Sequence, residues 1–220
     1  METLTARLFP LPDVVFFPRT NLPLHIFEPR YRQLMRDALA GDRRIAIALL
    51  QPGWEADYEG SPAVHPICCV GVIGSHQELE DGRFNLVLLG EQRIRICDVI
   101  QKQPYRTVTA LAVKERPLPQ DPAEAVEQQE RILALAMEYF KLSLTEEPDF
   151  SGLQGLDYEG LVNSLAAHMS LPAVHKQQLL ELDDLEQRGK QVARFLQLQN
   201  QERRLIRKFR HLSPKEPGRN

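Results

Sequence analysis

The chain has 220 residues, 43% of them hydrophobic and 26% charged, and its formal net charge at pH 7 is −3. This size allows one large core or two small ones, while the charge gives no general attraction to nucleic acid or anionic membranes. The apolar runs are far too short to cross a bilayer. An odd number of cysteines and the lack of a signal peptide favour reduced thiols and a cytoplasmic location.

The first half of the chain mainly shows the two-residue period of β-strands. Short apolar runs at 11–18 and 22–27 precede a helix predicted from Pro29 to Gly41. A buried strand at 45–50 and a loop at 51–62 come next. Four further strands are then predicted, at 64–78, 83–89, 93–97 and 105–113.

Glycines punctuate this strand region. Gly71 and Gly74 predict bulges or bends, Asp81-Gly82 predicts a two-residue hairpin turn, and Gly90 predicts a break between strands. About six strands with one short helix are typical of a small, partly closed barrel.

The dominant period changes to about 3.6 residues near residue 116. Helices are predicted from Pro122 to Leu144, over 157–169, over 172–182, and from a cap at Asp183-Asp184 to Arg210. The last of these would be about 42 Å long. The fold class is therefore α+β, with a barrel lobe (8–116), a Pro-rich linker (117–122), a helical-bundle lobe (123–211) and a disordered tail (212–220).

Motifs for catalysis and cofactors are missing from the sequence. Neither a phosphate-binding loop, G-x-x-x-x-G-K-[ST] or G-x-G-x-x-G, nor a G-x-S-x-G elbow occurs, so we predict no catalytic residues and no cofactor. His65, Cys68 and Cys69 lack the spacing of a zinc site, and adjacent strand residues point to opposite faces. We therefore predict no metal site, with one of these cysteines in the core and the other partly exposed.

Two features are candidate contact sites. Trp54 and Tyr58 lie on the 51–62 loop, where aromatic residues often anchor partners, although Trp54 could equally fold back over the barrel. The basic stretch from Arg203 to Arg210 could bind phosphate. A helix end that complements the acidic segment 117–160 is the simpler interpretation, so nucleic-acid binding is not favoured.

Several spaced segments resemble the N-terminal region of Lon proteases. They are 8–18, the 22–31 segment LPLHIFEPRY, the strand pair around Asp81-Gly82-Arg83 and 89–96, and the helical segments 165–171 and 176–181. The resemblance runs from about residue 8 to about residue 210. It implies a PUA-like β-barrel lobe, a helical bundle whose last helix leads toward an ATPase, and recognition of unfolded proteins, degradation tags or adaptors.

The resemblance also implies what the chain lacks, because it ends after the last helix. We therefore expect a stand-alone, non-catalytic protein-binding module without the Lon ATPase and Ser/Lys peptidase residues. Its expected partners are unfolded or tagged client proteins, with a protease, a chaperone or a second copy of the chain as further candidates. Arg30, Gln33 and Asp37 form a polar flank of the first helix that we assign to partner contact. The alternatives are an RNA-binding PUA-like protein and a hydrolase with a site at the lobe junction.

Overall fold

The computed structural model describes residues 3–57, 60–116, 122–143 and 151–209. The strands are β1 (Thr3–Leu11), β2 (Asn21–Ile26), β3 (Arg44–Leu49), β4 (Ile67–Glu78), β5 (Phe84–Gln101) and β6 (Arg106–Ala112). The helices are α1 (Pro29–Ala40), α2 (Pro122–Ser143), α3 (Ser151–Gln154), α4 (Tyr158–His168), α5 (Ala173–Glu181) and α6 (Leu185–Phe209), and a short 3₁₀ helix covers Trp54–Asp57. The predicted α+β class is confirmed.

The six strands form a sheet that closes on itself. Their order is β2-β5-β4-β3-β1-β6, and β5 also pairs with β6. All neighbours are antiparallel except β1 and β3, which run parallel. Since β2 pairs only with the first half of β5, it lies at an open edge beside the closed part of the sheet.

The strands differ from the sequence pattern in two places. Only Leu11 of the apolar run at 11–18 belongs to a strand, as the last residue of β1, and Val15, Phe16 and Phe17 are buried in an irregular segment. Gly90 does not end a strand, because β5 continues through it as one 18-residue strand. A Cβ at Gly90 would overlap the backbone of Phe17, so the glycine is needed for a close approach of two chain segments.

The predicted bulges are confirmed, because register shifts in the β4–β5 pair fall at Gly71 and Gly74. The hairpin after β4 is also present, but its turn is longer than predicted. The Leu79 amide donates to the Arg83 carbonyl (2.8 Å), which leaves three residues in the turn, and Gly82 has a positive φ of 75°.

The barrel lobe has two apolar layers. Small side chains of β1, β3, β4 and β6, including Ala46, Ala48 and Cys68, fill its interior. The opposite face of these strands is covered by α1 through Tyr31, Leu34, Met35 and Ala38. Both faces of β3 and of the first half of β4 are therefore buried, which explains their nearly continuous apolar sequence.

The helical lobe shares a core with the barrel. Leu161, Val162, Leu165 and many other helical residues form one cluster with Val15, Phe17, Leu49 and Ile67 of the barrel. Most of the predicted linker (117–121), and the end of the chain (210–220), lie outside the described residues. Within the described ranges, no helix combines the length and apolar character needed to cross a bilayer.

Candidate partner-binding surface

The first helix begins with a charged cluster. Glu28 precedes α1, Pro29 occupies its first turn, and Arg30 Nε donates to Glu28 Oε2 (2.9 Å). The Arg30 guanidinium also lies 4.7 Å from the centre of the Tyr31 ring. The Arg30 side chain is partly exposed, and its position is set by an anion and an aromatic face.

The other two residues of the predicted flank are tied to the barrel. Gln33 Nε2 donates to Asp37 Oδ1 (2.8 Å), and the Tyr105 hydroxyl donates to Asp37 Oδ2 (2.6 Å). Burial, followed by the hydrogen bond to Asp37, raises the pKa of Tyr105. The structure thus brings Gln33 and Asp37 together, and Asp37 anchors α1 to the start of β6.

A small pocket connects α1 with the end of the 51–62 loop. Arg30, Tyr31, Tyr105 and Arg106 line it beside Gly60 and Pro62, and its volume of about 30 Å³ is that of roughly one water molecule. Arg106 Nη1 donates to the Pro62 carbonyl (2.7 Å), and burial lowers the pKa of Arg106. This buried arginine therefore holds the end of the loop against the helix flank.

The structure describes the 51–62 loop except for residues 58 and 59. Trp54 is partly exposed at the start of the 3₁₀ helix and, among the residues that the structure describes, is not part of the apolar clusters of the barrel and the helices. Tyr58, the other aromatic residue assigned to partner contact, lies outside the described residues.

Phe27, which was not among the predicted contact residues, is 61% exposed directly after β2. Leu22, Leu24 and Ile26 point toward the core, so the alternation along β2 places His25 and Phe27 on the outside. Their rings stack with centres 6.2 Å apart. The alternation in the LPLHIF segment was the signal that could have predicted this exposed aromatic residue.

Next to Phe27, the outer face of β2, β4 and β5 forms an open groove of about 570 Å³. Pro23, His25, Asn85, Val87 and Gln77 line it, and His25 Nδ1 lies 2.7 Å from Asn85 Oδ1. Leu89, which is also exposed, extends the same outward-facing row of β5. We call this surface the β2 face; it consists of the outward-facing residues of 23–27 and, on β5, of Asn85, Val87 and Leu89.

Two of the three cysteines lie in the core of the barrel lobe. Cys68 and Cys69 are both buried, so the expectation of one partly exposed thiol is wrong, because β4 is covered on both faces. No group of three or more possible metal ligands occurs among the described residues.

Arg204 pairs with Glu138, Arg207 donates to the Lys141 carbonyl, and Arg203 lies over the Tyr139 ring, so all three contact α2.

Solved structures with the same fold define the class of the molecule. The N-terminal domain of the Mycobacterium avium complex Lon protease aligns with a TM-score of 0.67 and 16% identity, over 88% of this chain and 98% of that domain. The Lon N-terminal domain protein from Xanthomonas campestris aligns with a TM-score of 0.59 and 22% identity, over 86% and 96% of the two chains. The fold is therefore that of a Lon N-terminal domain.

Sequence comparison assigns the family. Residues 5–197 match the substrate-binding domain of the ATP-dependent protease La (LON), and the chain belongs to this family. The Lon protease of Flavobacterium johnsoniae is 25% identical over 88% of this chain, and that of Rhizobium meliloti is 24% identical over 89%. These matches cover 24% of each protease, so the chain spans about a quarter of the length of these curated relatives.

Proposed function

We propose that the chain is a non-catalytic, cytoplasmic module that binds unfolded or tagged client proteins and presents them to a protease or chaperone. The observation that carries this proposal is the match of residues 5–197 to a substrate-binding domain. In agreement with it, we expect the purified protein to hydrolyse neither ATP nor casein. ATP turnover that survives repurification would contradict this expectation.

The β2 face is the surface that best suits an unfolded client. An unfolded chain offers apolar side chains and free backbone groups, and this face offers the exposed ring of Phe27, the groove beside it and an open strand edge. Exposed aromatic residues are frequent energetic anchors of protein contacts. We also assign Arg30 and Gln33 of α1 to contacts with polar parts of a client, and Trp54 and Tyr58 to contacts with its apolar parts.

Binding of a permanently unfolded client tests this assignment. We would measure fluorescence anisotropy of labelled, reduced and carboxymethylated α-lactalbumin with the wild type, Phe27→Ala and the control Ile100→Ala. Ile100 is 55% exposed in the other half of β5, so the control removes a similar apolar area elsewhere. Phe27→Ala should weaken binding about tenfold or more, and Ile100→Ala should not. Equal binding by all three proteins would refute the role of the β2 face.

Trp54 provides a second readout because it is the only tryptophan of the chain. If it borders the client, its emission should shift to the blue on binding, and Trp54→Ala should weaken binding by about 2 kcal/mol. Salt separates protein binding from the RNA alternative, since phosphate contacts weaken steeply as salt rises. Salt-sensitive RNA binding without a client-induced shift of Trp54 would favour the RNA-binding alternative.

A further inference from the structure

A third cavity lies in the helical lobe and is lined only by residues of α2, α4 and α6. The helices α2 and α6 run parallel, because Asn200 bonds to Leu135, Arg204 to Glu138, and Arg207 to Lys141 in the same order along both. Between their first halves is a cavity of about 300 Å³, at the lower end of the range for small-ligand sites. We call it the α2–α6 groove.

The floor of the α2–α6 groove is apolar and fixed. Ile132 and Ala193 are buried there, and Tyr158 closes one end next to Gly189. A Cβ at Gly189 would overlap the Tyr158 hydroxyl, so a glycine is needed at this position of α6 to leave space for the Tyr158 side chain. The hydroxyl donates to Gln128 Oε1 (3.2 Å), and burial raises the pKa of Tyr158 to about 12, which keeps it protonated.

The polar side chains at the rim of the groove differ in whether they have partners within the protein. Lys190 pairs with Glu186, and Gln128 Nε2 donates to Glu124 Oε1. Arg131, Arg194 and Gln197, by contrast, have no ion pair or side-chain hydrogen bond to any other described residue. The other four arginines of α6 all have partners within the protein. Arg188 pairs with Glu115, Arg203 lies over the Tyr139 ring, Arg204 pairs with Glu138, and Arg207 donates to carbonyls of α2.

We propose that the α2–α6 groove binds an apolar carboxylate, with the apolar body on Ile132 and Ala193 and the carboxylate between Arg131 and Arg194. Guanidinium groups donate paired hydrogen bonds that match the two oxygens of a carboxylate. Gln197 supplies a further amide donor beside them. The C-terminus of a polypeptide that ends in an apolar residue has this chemistry, and so does a free branched organic acid.

Titration of the full chain, followed by ¹⁵N–¹H NMR and calorimetry, tests this proposal. The probes are an acetylated hexapeptide ending in two leucines, the same peptide with an amidated C-terminus, and 4-methylpentanoate. We expect the free-acid peptide to shift the amide signals of Gly189 and Ala193. Amidation, or the double change Arg131→Gln/Arg194→Gln, should weaken binding about tenfold or more.

Arg95→Gln is the matched control, because Arg95 is an exposed arginine of β5 outside the groove. It should bind like the wild type, and so should Phe27→Ala, which separates this site from client binding at the β2 face. Binding of 4-methylpentanoate alone would support the site and assign it to free acids. Equal binding of the amidated peptide, unchanged binding by the double variant, or no shift with either free acid would overturn the proposal.

Discussion

One carboxylate joins two buried arginines where the barrel meets the helices. Arg93 Nε donates to Glu115 Oε1 (2.6 Å), and Arg188 Nη2 lies 3.0 Å from Glu115 Oε2. Both guanidinium groups are fully buried, whereas Glu115 is partly exposed. Further bonds run from Arg93 to the Leu180 carbonyl and from Arg188 to Asn163 Oδ1, so the cluster connects β5, α4, α5 and α6.

Neutralising Glu115 should therefore be costly. The Glu115→Gln variant would remove the carboxylate that both buried guanidinium groups share and leave Arg93 paired with the exposed carboxylate of Asp183. Loss of one partner from a buried ion pair typically costs about 3–5 kcal/mol. We expect a loss of about 3 kcal/mol in the free energy of unfolding, measured with urea. Glu78→Gln, which breaks the exposed pair with Arg36, should cost less than about 1 kcal/mol. Similar losses in both variants would show that the buried cluster contributes little.

The cysteines allow a prediction about reactivity. Burial raises the pKa of Cys68 to about 12 and that of Cys69 well above its usual value, whereas Cys97 is exposed. Only the thiolate reacts readily with disulfide reagents. A raised pKa keeps both buried thiols protonated at pH 8. Ellman's reagent should then label one thiol of the native protein quickly and all three after denaturation, and fast labelling of three native thiols would contradict the described packing.

At the scale of elements, helix ends were the most predictable feature. Pro29 opens α1, Asp157 accepts from the Gly160 amide before α4, and Asp184 accepts from the Gln187 amide before α6. These signals are local, so a few neighbouring side chains determine them. The course of β5 past Gly90 was not predictable in this way, because the Phe17 backbone that approaches Gly90 is remote in sequence.

The cap of α6 can be tested alone. Replacement of an N-cap aspartate by alanine typically costs about 0.5–2 kcal/mol, whereas asparagine caps nearly as well. Asp184→Ala should therefore lower the free energy of unfolding by about 1 kcal/mol, and Asp184→Asn should change it much less. Urea unfolding followed by circular dichroism measures both. If Asn and Ala have the same effect, Asp184 acts through its charge rather than as a cap.

Across the whole chain, the sequence predicted a strand-rich part followed by a helical part, as the structure shows, but not how the two parts pack together. The change of period near residue 116 depends on local patterns. The contact between lobes depends on pairs such as Asn163 with Pro18 and Gln177 with Ile67, which are more than 100 residues apart and have no local signal. Helical spacing was enough to predict that Gln33 and Asp37 lie side by side on α1. The α2–α6 groove could not be predicted in this way, because it depends on the packing of α2 against α6.

The joint core leads to a prediction for limited proteolysis. We expect proteinase K, which has little sequence preference, to cut first near 117–121, in the 51–62 loop or after 209, because the barrel strands are protected by pairing. A cut at 117–121 alone should not separate the lobes, since the apolar cluster and the Arg93–Glu115–Arg188 contacts connect them without the linker. The two fragments should therefore elute together in gel filtration and separate only in denaturant. Early cuts within 83–113, or fragments that separate under native conditions, would contradict the shared core.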